Sequence, residues 1–211
     1  FRGHLKNAYA FLGREIPLFL FEPIYRFEAP EEAMIEPPGC IEPTIDGLES
    51  SFFEWNNASH ITVHGRSTGA MAMGSIDPFE TVSFGFNERA FFVRIDPIDR
   101  DAGFRLSEIE QVTFRLYDGS RKTKFWLGLE DNTLKVKRID DSGQLVEATG
   151  VVMAAKAILE MGFDFEALGL KAGEKATLAI ALNRHGVEVR RYSHIRFVVP
   201  DETYGMRMWS V

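Results

Sequence analysis

Apolar and polar residues alternate most cleanly between Thr81 and Ile95. Val82, Phe84 and Phe86 alternate with Thr81, Ser83 and Gly85, and after Asn87-Glu88 the alternation resumes with Phe91, Val93 and Ile95. With Asn87 and Glu88 as the turn, this pattern predicts a β-hairpin in which Phe84 faces Phe91 and Val82 faces Val93. Period-two geometry gathers these groups on one sheet face, and burying each large side chain is worth about 1.5 to 3 kcal/mol. Such a face needs a second sheet to cover it.

A second hairpin follows. Val112, Phe114 and Leu116 alternate with Thr113, Arg115 and Tyr117, and beyond Asp118-Gly119-Ser120 the residues Phe125, Leu127 and Leu129 alternate with Lys122, Lys124 and Trp126. The turn centres on Asp118-Gly119 or Gly119-Ser120, and either choice gives the same parity. Phe114, Leu116, Phe125 and Leu127 point inward, while Arg115, Tyr117, Lys122, Lys124 and Trp126 share the outward face.

Further strands are predicted at Ile61–His64, Leu134–Ile139, Leu145–Val152, Leu178–Leu182 and Val187–Val199, with a single helical turn at Asp164–Leu168. Ala155–Met161 fits helix or strand, and Gly65–Ser75, rich in Gly, Ser, Thr, Ala and Met, reads as a mobile loop. Short strands separated by frequent turn signals indicate an all-β fold: an antiparallel immunoglobulin-like or jelly-roll-like β-sandwich. The N-terminus differs. Phe1, Leu5, Ala8, Tyr9, Phe11 and Leu12 lie close to one helical face, and Gly13 is placed as the stop. The expected organisation is a helical arm over 1–27, a Glu/Pro/Ala connector over 28–43 and a sandwich over 44–211.

Composition narrows the classes of function. A hydrophobic content of 45% suits a globular core, and a net charge of −7 argues against a nucleic-acid partner. The densest basic cluster, Arg121-Lys122-Thr123-Lys124, reads as a solvated strand face. The single cysteine, Cys40, rules out an internal disulfide and a multi-cysteine zinc site. No apolar run approaches the roughly 20 residues of a membrane-spanning helix, so no membrane partner is expected. The start at Phe1 instead of Met reads as an excised fragment, and a cytoplasmic location is the expectation. GxSxG, Walker, HExxH and GxGxxG motifs are absent, and the five histidines are dispersed.

The Asp46-Gly47 turn, the Trp55 that follows and a hairpin whose second strand begins with paired aromatics resemble the sugar-binding β-sandwiches related to DOMON and family 9 carbohydrate-binding modules. Phe1–Ile24 followed by Pro43-Thr44-Ile45-Asp46-Gly47 and Phe53-Glu54-Trp55 looks like the C-terminal part of bacterial glycoside hydrolase family 57 proteins. Leu168-Gly169-Leu170, Pro200 and Trp209-Ser210-Val211 look like the same tail. The resemblance implies a noncatalytic accessory module with the N-terminal catalytic domain of the same chain as partner and α-glucan chemistry in the parent protein. The family's catalytic carboxylates belong to that preceding region, so no catalytic residue is expected here. Some DOMON relatives hold haem on a His or Met pair, for which Met71 and Met73 are the nearby candidates, but packing is the simpler role of loop methionines and no cofactor is assigned.

Trp126, Tyr117, Arg115 and Lys124 are the candidate carbohydrate-binding residues. A sugar's CH face packs on an indole while flanking polar groups bond its hydroxyls. The alternative is a purely structural module that packs on the catalytic domain, with Trp126 covered and no sugar affinity. Asp96, Asp99 and Asp101 have a spacing that suits a structural Ca2+, although the EF-hand Gly and distal Glu are missing, and a solvated loop is the competing reading.

Overall fold

The computed structural model describes residues 8–14, 37–62, 79–104, 111–118, 121–184, 187–201 and Tyr204. The chain divides into two compact units, Phe1–Ala33 and Met34–Val211. In the first, residues 8–11 form one helical turn. It ends where Gly13 takes φ +61 and donates to the Ala10 carbonyl at 3.1 Å, a left-handed stop of the kind expected from its position. Phe1–Asn7, Pro17–Phe21 and the loop Gly65–Ser75 lie outside the described residues.

The second unit is an all-β sandwich. Its strands in chain order are β1 (Ser59–Thr62), β2 (Phe79–Phe86), β3 (Ala90–Pro97), β4 (Gln111–Tyr117), β5 (Lys122–Glu130), β6 (Thr133–Ile139), β7 (Leu145–Glu147), β8 (Val151–Ala155), β9 (Leu159–Asp164), β10 (Lys175–Arg184) and β11 (Val187–Val198). One sheet has the order β1-β2-β3-β9-β8 and the other β11-β10-β4-β5-β6-β7. Their facing sides interlock through aromatics. Phe163 on β9 sits 6.0 Å from Phe114 and 5.4 Å from Phe125, and Phe91 on β3 stacks on Phe197 on β11 at 4.4 Å.

The β2–β3 hairpin differs from its expected register. Phe84 faces Val93, Val82 faces Ile95 and Phe86 faces Phe91. Asn87 explains the shift: its Oδ1 accepts from the Arg89 and Ala90 amides at 2.8 and 2.9 Å, so the turn moves one residue along the chain. The slip changes cross-strand partners by two positions and therefore leaves every side chain on its expected face.

Part of the outer face of this sheet is covered too. Phe92 forms a second small core with Ile41 and Trp55, and the side chain of Ile41 fills the space over Gly85. Segment 37–58 thus lies over β2, β3 and β9, tied by the Ile41 amide to the Phe86 carbonyl at 3.1 Å.

Leu145–Val152 is not one strand. Leu145–Glu147 pairs with β6 in the six-stranded sheet, and Val151–Ala155 pairs with β9 in the other. The chain changes sheets at Gly150, whose φ of +75 makes the corner and whose missing Cβ leaves room for Ala167. Ala155–Met161 resolves into strand, turn and strand, with Lys156 donating to the Ile158 carbonyl at 3.1 Å. The helical turn after β9 is capped by Asp164, whose Oδ1 accepts from the Ala167 amide at 2.7 Å.

Candidate functional site

The outward face of the six-stranded sheet carries the four carbohydrate candidates, and their parity is as expected. Phe114, Phe125 and Leu127 are fully buried beneath them. Trp126 on β5 pairs with Thr113 on β4 and Lys137 on β6, and two residues farther along β5 comes Gly128. The six-membered ring of the Trp126 indole occupies the space that a Cβ on Gly128 would take. The indole therefore leans along β5 from Trp126 toward Gly128.

Polar groups surround that ring. Lys137 and Lys135 both pair with Glu130, and Lys137 holds the Glu130 carboxyl below its ordinary range. On the other side the Thr113 hydroxyl accepts from Asn183 Nδ2 at 2.7 Å. Arg115 and Lys124 face each other one row away, on β4 and β5. Arg115 Nη2 donates to Glu188 at 2.8 Å, and Glu188 also accepts from Arg191 Nε and Nη2 at 2.8 and 2.9 Å. Arg191 first and Arg115 second hold the Glu188 carboxyl low. Tyr117 stands apart from the others: it pairs with Lys122, whose Nζ lies 5.3 Å from the phenol ring centre. The face therefore gathers Trp126, Arg115 and Lys124, while one side of the Tyr117 ring is occupied by a cation.

Beside this face, at one end of the sandwich, is a cleft of about 790 Å³ lined by Arg121, Lys122, Lys124, Arg138, Asp140, Asp141 and Glu166 among others. The basic cluster Arg121–Lys124 thus belongs to a cleft wall as well as to a strand. The sequence gives no sign of this cleft, because Glu166, in the turn after β9, is far from β5 and β6 in the chain and meets them only in the folded sandwich.

A second polar constellation was also missed. Glu160 on β9 is wholly inaccessible; its Oε2 accepts from the Asp46 and Gly47 amides at 3.1 and 2.9 Å, and its Oε1 from Trp55 Nε1 at 2.9 Å. Burial pushes this carboxyl above its ordinary value, and the three donors only partly oppose it. The signal in the sequence was a lone charge inside the apolar run Ile158-Leu159-Glu160-Met161. The Asp46-Gly47 and Trp55 motif is therefore the clasp that holds segment 37–58 onto the sheet.

Of the three acidic candidates for Ca2+, Asp96 is buried and bound by Arg94 at 2.7 Å, and Asp99 caps the Ala102 amide at 3.0 Å. Among the described residues, no group of three or more His, Cys, Asp or Glu is placed to hold a metal ion. Cys40 is half-buried, and burial raises its thiol above the ordinary range. Among the described residues no helix is long and apolar enough to cross a membrane.

No family model matches the chain and no curated protein matches it, so neither the family 57 nor the DOMON resemblance has a family match behind it. Among solved structures, the crystal structure of a Br derivative of BhCBM56 aligns with 59% of this chain and 96% of its own, at 10% identity and a TM-score of 0.27. A likeness of that size carries no functional argument.

Proposed function

We propose that the sandwich is a noncatalytic carbohydrate-binding module whose sugar platform is the outward face of β4, β5 and β6. The observation that carries this reading is the Trp126 ring laid over Gly128, among Thr113, Asn183, Lys135, Lys137 and Glu130. A pyranose presents an apolar CH face and a rim of hydroxyls, and a flat indole ringed by donors and acceptors complements both. The finer form of the proposal follows the resemblance: an accessory module of a family 57-like glycoside hydrolase, raising the local concentration of α-glucan for a catalytic domain in the same chain.

Native affinity electrophoresis through soluble starch, glycogen or pullulan tests it. Retardation that disappears in Trp126→Ala supports the platform, and normal mobility in every gel refutes it. A second reading, a structural module that packs on a catalytic domain, is favoured by Phe52 and Phe53. These adjacent rings meet edge to face at 5.6 Å, yet are 76% and 79% exposed.

A further inference from the structure

We propose that the cleft at the end of the sandwich binds an oxyanion carried by a sugar, either a uronate carboxylate or a phosphate ester, through Lys124 and Arg138. The inference rests on the sugar-binding reading above and assigns that reading a charged substituent.

The chain has 31 acidic residues against 24 basic ones, so a cation on its surface has carboxylates in excess to pair with. Within the described residues neither Lys124 nor Arg138 is ion-paired, although both line the cleft of about 790 Å³. Their neighbours are committed elsewhere. Arg121 binds Asp118 at 3.0 Å and the Gly169 carbonyl at 2.8 Å. Asp140, the carboxylate next in sequence to the β6 wall, uses Oδ1 to accept from the Ser142 amide and hydroxyl and the Gln144 amide at 2.9, 2.7 and 2.8 Å. Asp141 and Glu166 are exposed on the rim and paired with neither cation.

The two cations also come from different sides of the sheet. Lys124 shares the outward face with Trp126, whereas Arg138 is the cross-strand partner of the buried Phe125 and so projects on the other side. Both nonetheless line the same cleft. Lys124 and Trp126 are two residues apart on β5, about 7 Å at about 3.3 Å per residue. A glycan stacked on Trp126 and running along β5 would bring a neighbouring substituent to Lys124. Charge-assisted hydrogen bonds to an oxyanion are roughly twice as strong as neutral ones and weaken with salt at exposed sites. The cleft therefore favours a charged substituent over a hydroxyl.

Calorimetric titration of the full chain with trigalacturonate, phosphorylated maltotriose, maltotriose and inorganic phosphate tests the proposal, using wild type, Trp126→Ala and the double variant K124A/R138A. At least one acidic sugar should bind about tenfold more tightly than maltotriose at low salt, an advantage lost in K124A/R138A and reduced at high salt. Which acidic sugar holds the advantage identifies the oxyanion. Equal affinity for acidic and neutral sugars, or an advantage that survives K124A/R138A, overturns the inference while leaving the Trp126 platform standing if maltotriose binding is lost in Trp126→Ala. An advantage that depends on K124A/R138A and ignores Trp126→Ala upholds the anion site and removes the platform. Inorganic phosphate binding as tightly as the phosphorylated sugar removes the sugar from the proposal, and absence of heat with every ligand contradicts both readings.

Discussion

Trp55 donates its indole hydrogen to Glu160 at 2.9 Å across 105 residues of chain, and both partners are buried. Glu160→Ala leaves three donors, two amides and one indole, without their acceptor. An unsatisfied buried group costs about 1 to 3 kcal/mol, so the expected loss is roughly 3 kcal/mol or more, measured by urea unfolding. A loss under about 1 kcal/mol would show that water replaces the carboxylate freely.

The same residue sets a pH signature. Burial raises the Glu160 carboxyl above its ordinary 4.5, so between that value and the raised one the folded state keeps a proton that the unfolded chain has released. Stability contributed by this group therefore falls as pH rises through that window. Glu188, held low by Arg191 and Arg115, has the opposite sign: its contribution is present above the ordinary 4.5 and is lost as pH falls. Unfolding midpoints of wild type and Glu160→Gln, compared across pH, should diverge above 4.5, and parallel profiles would contradict this.

Gly47 has φ +76, and a Cβ there would sit 2.8 Å from the Lys156 amide nitrogen. Gly47→Ala should cost about 1 to 3 kcal/mol from backbone strain alone, with the clash in addition. Thermal unfolding of the variant is the check, and an unchanged midpoint would mean the turn relaxes without penalty.

Core packing gives a further test. Phe163 bridges the sheets to Phe114 and Phe125 and is 2% exposed, so Phe163→Ala should cost about 3 to 5 kcal/mol by equilibrium unfolding. A smaller effect would show that the interface between sheets collapses around the gap.

Much of this molecule was legible in its sequence because period-two alternation reports the sheet face directly. The inward set Phe114, Phe125 and Leu127 and the outward set Arg115, Lys124 and Trp126 needed only parity. Register was less legible, because the Asn87 side chain, not the strand pattern, fixes where the β2–β3 turn falls. The split of Leu145–Val152 between two sheets left only the mark of Gly150, a residue equally at home in a loop. Glu160 and the cleft were hidden for a different reason: Glu160 meets Asp46, Gly47 and Trp55 across 105 to 114 residues of chain, and the turn that carries Glu166 meets β5 and β6 only in the folded sandwich.

Gly128 offers a control for the platform. A methyl group there would occupy the place of the indole ring, so Gly128→Ala should lift Trp126 and weaken sugar binding about tenfold while the fold persists. Calorimetric titration with a maltooligosaccharide, alongside circular dichroism, separates the two effects, and undiminished affinity would remove the ring from the binding surface.

The most direct test follows the indole N–H resonances of the three tryptophans by NMR while maltohexaose is added, with the Trp126 signal assigned by its loss in Trp126→Ala. A sugar platform on the six-stranded sheet requires the Trp126 resonance to shift in a saturable way while that of Trp55, clasped to Glu160 on the other sheet, stays in place. A Trp126 resonance that does not move at saturating sugar, or a shift confined to Trp55, would contradict it.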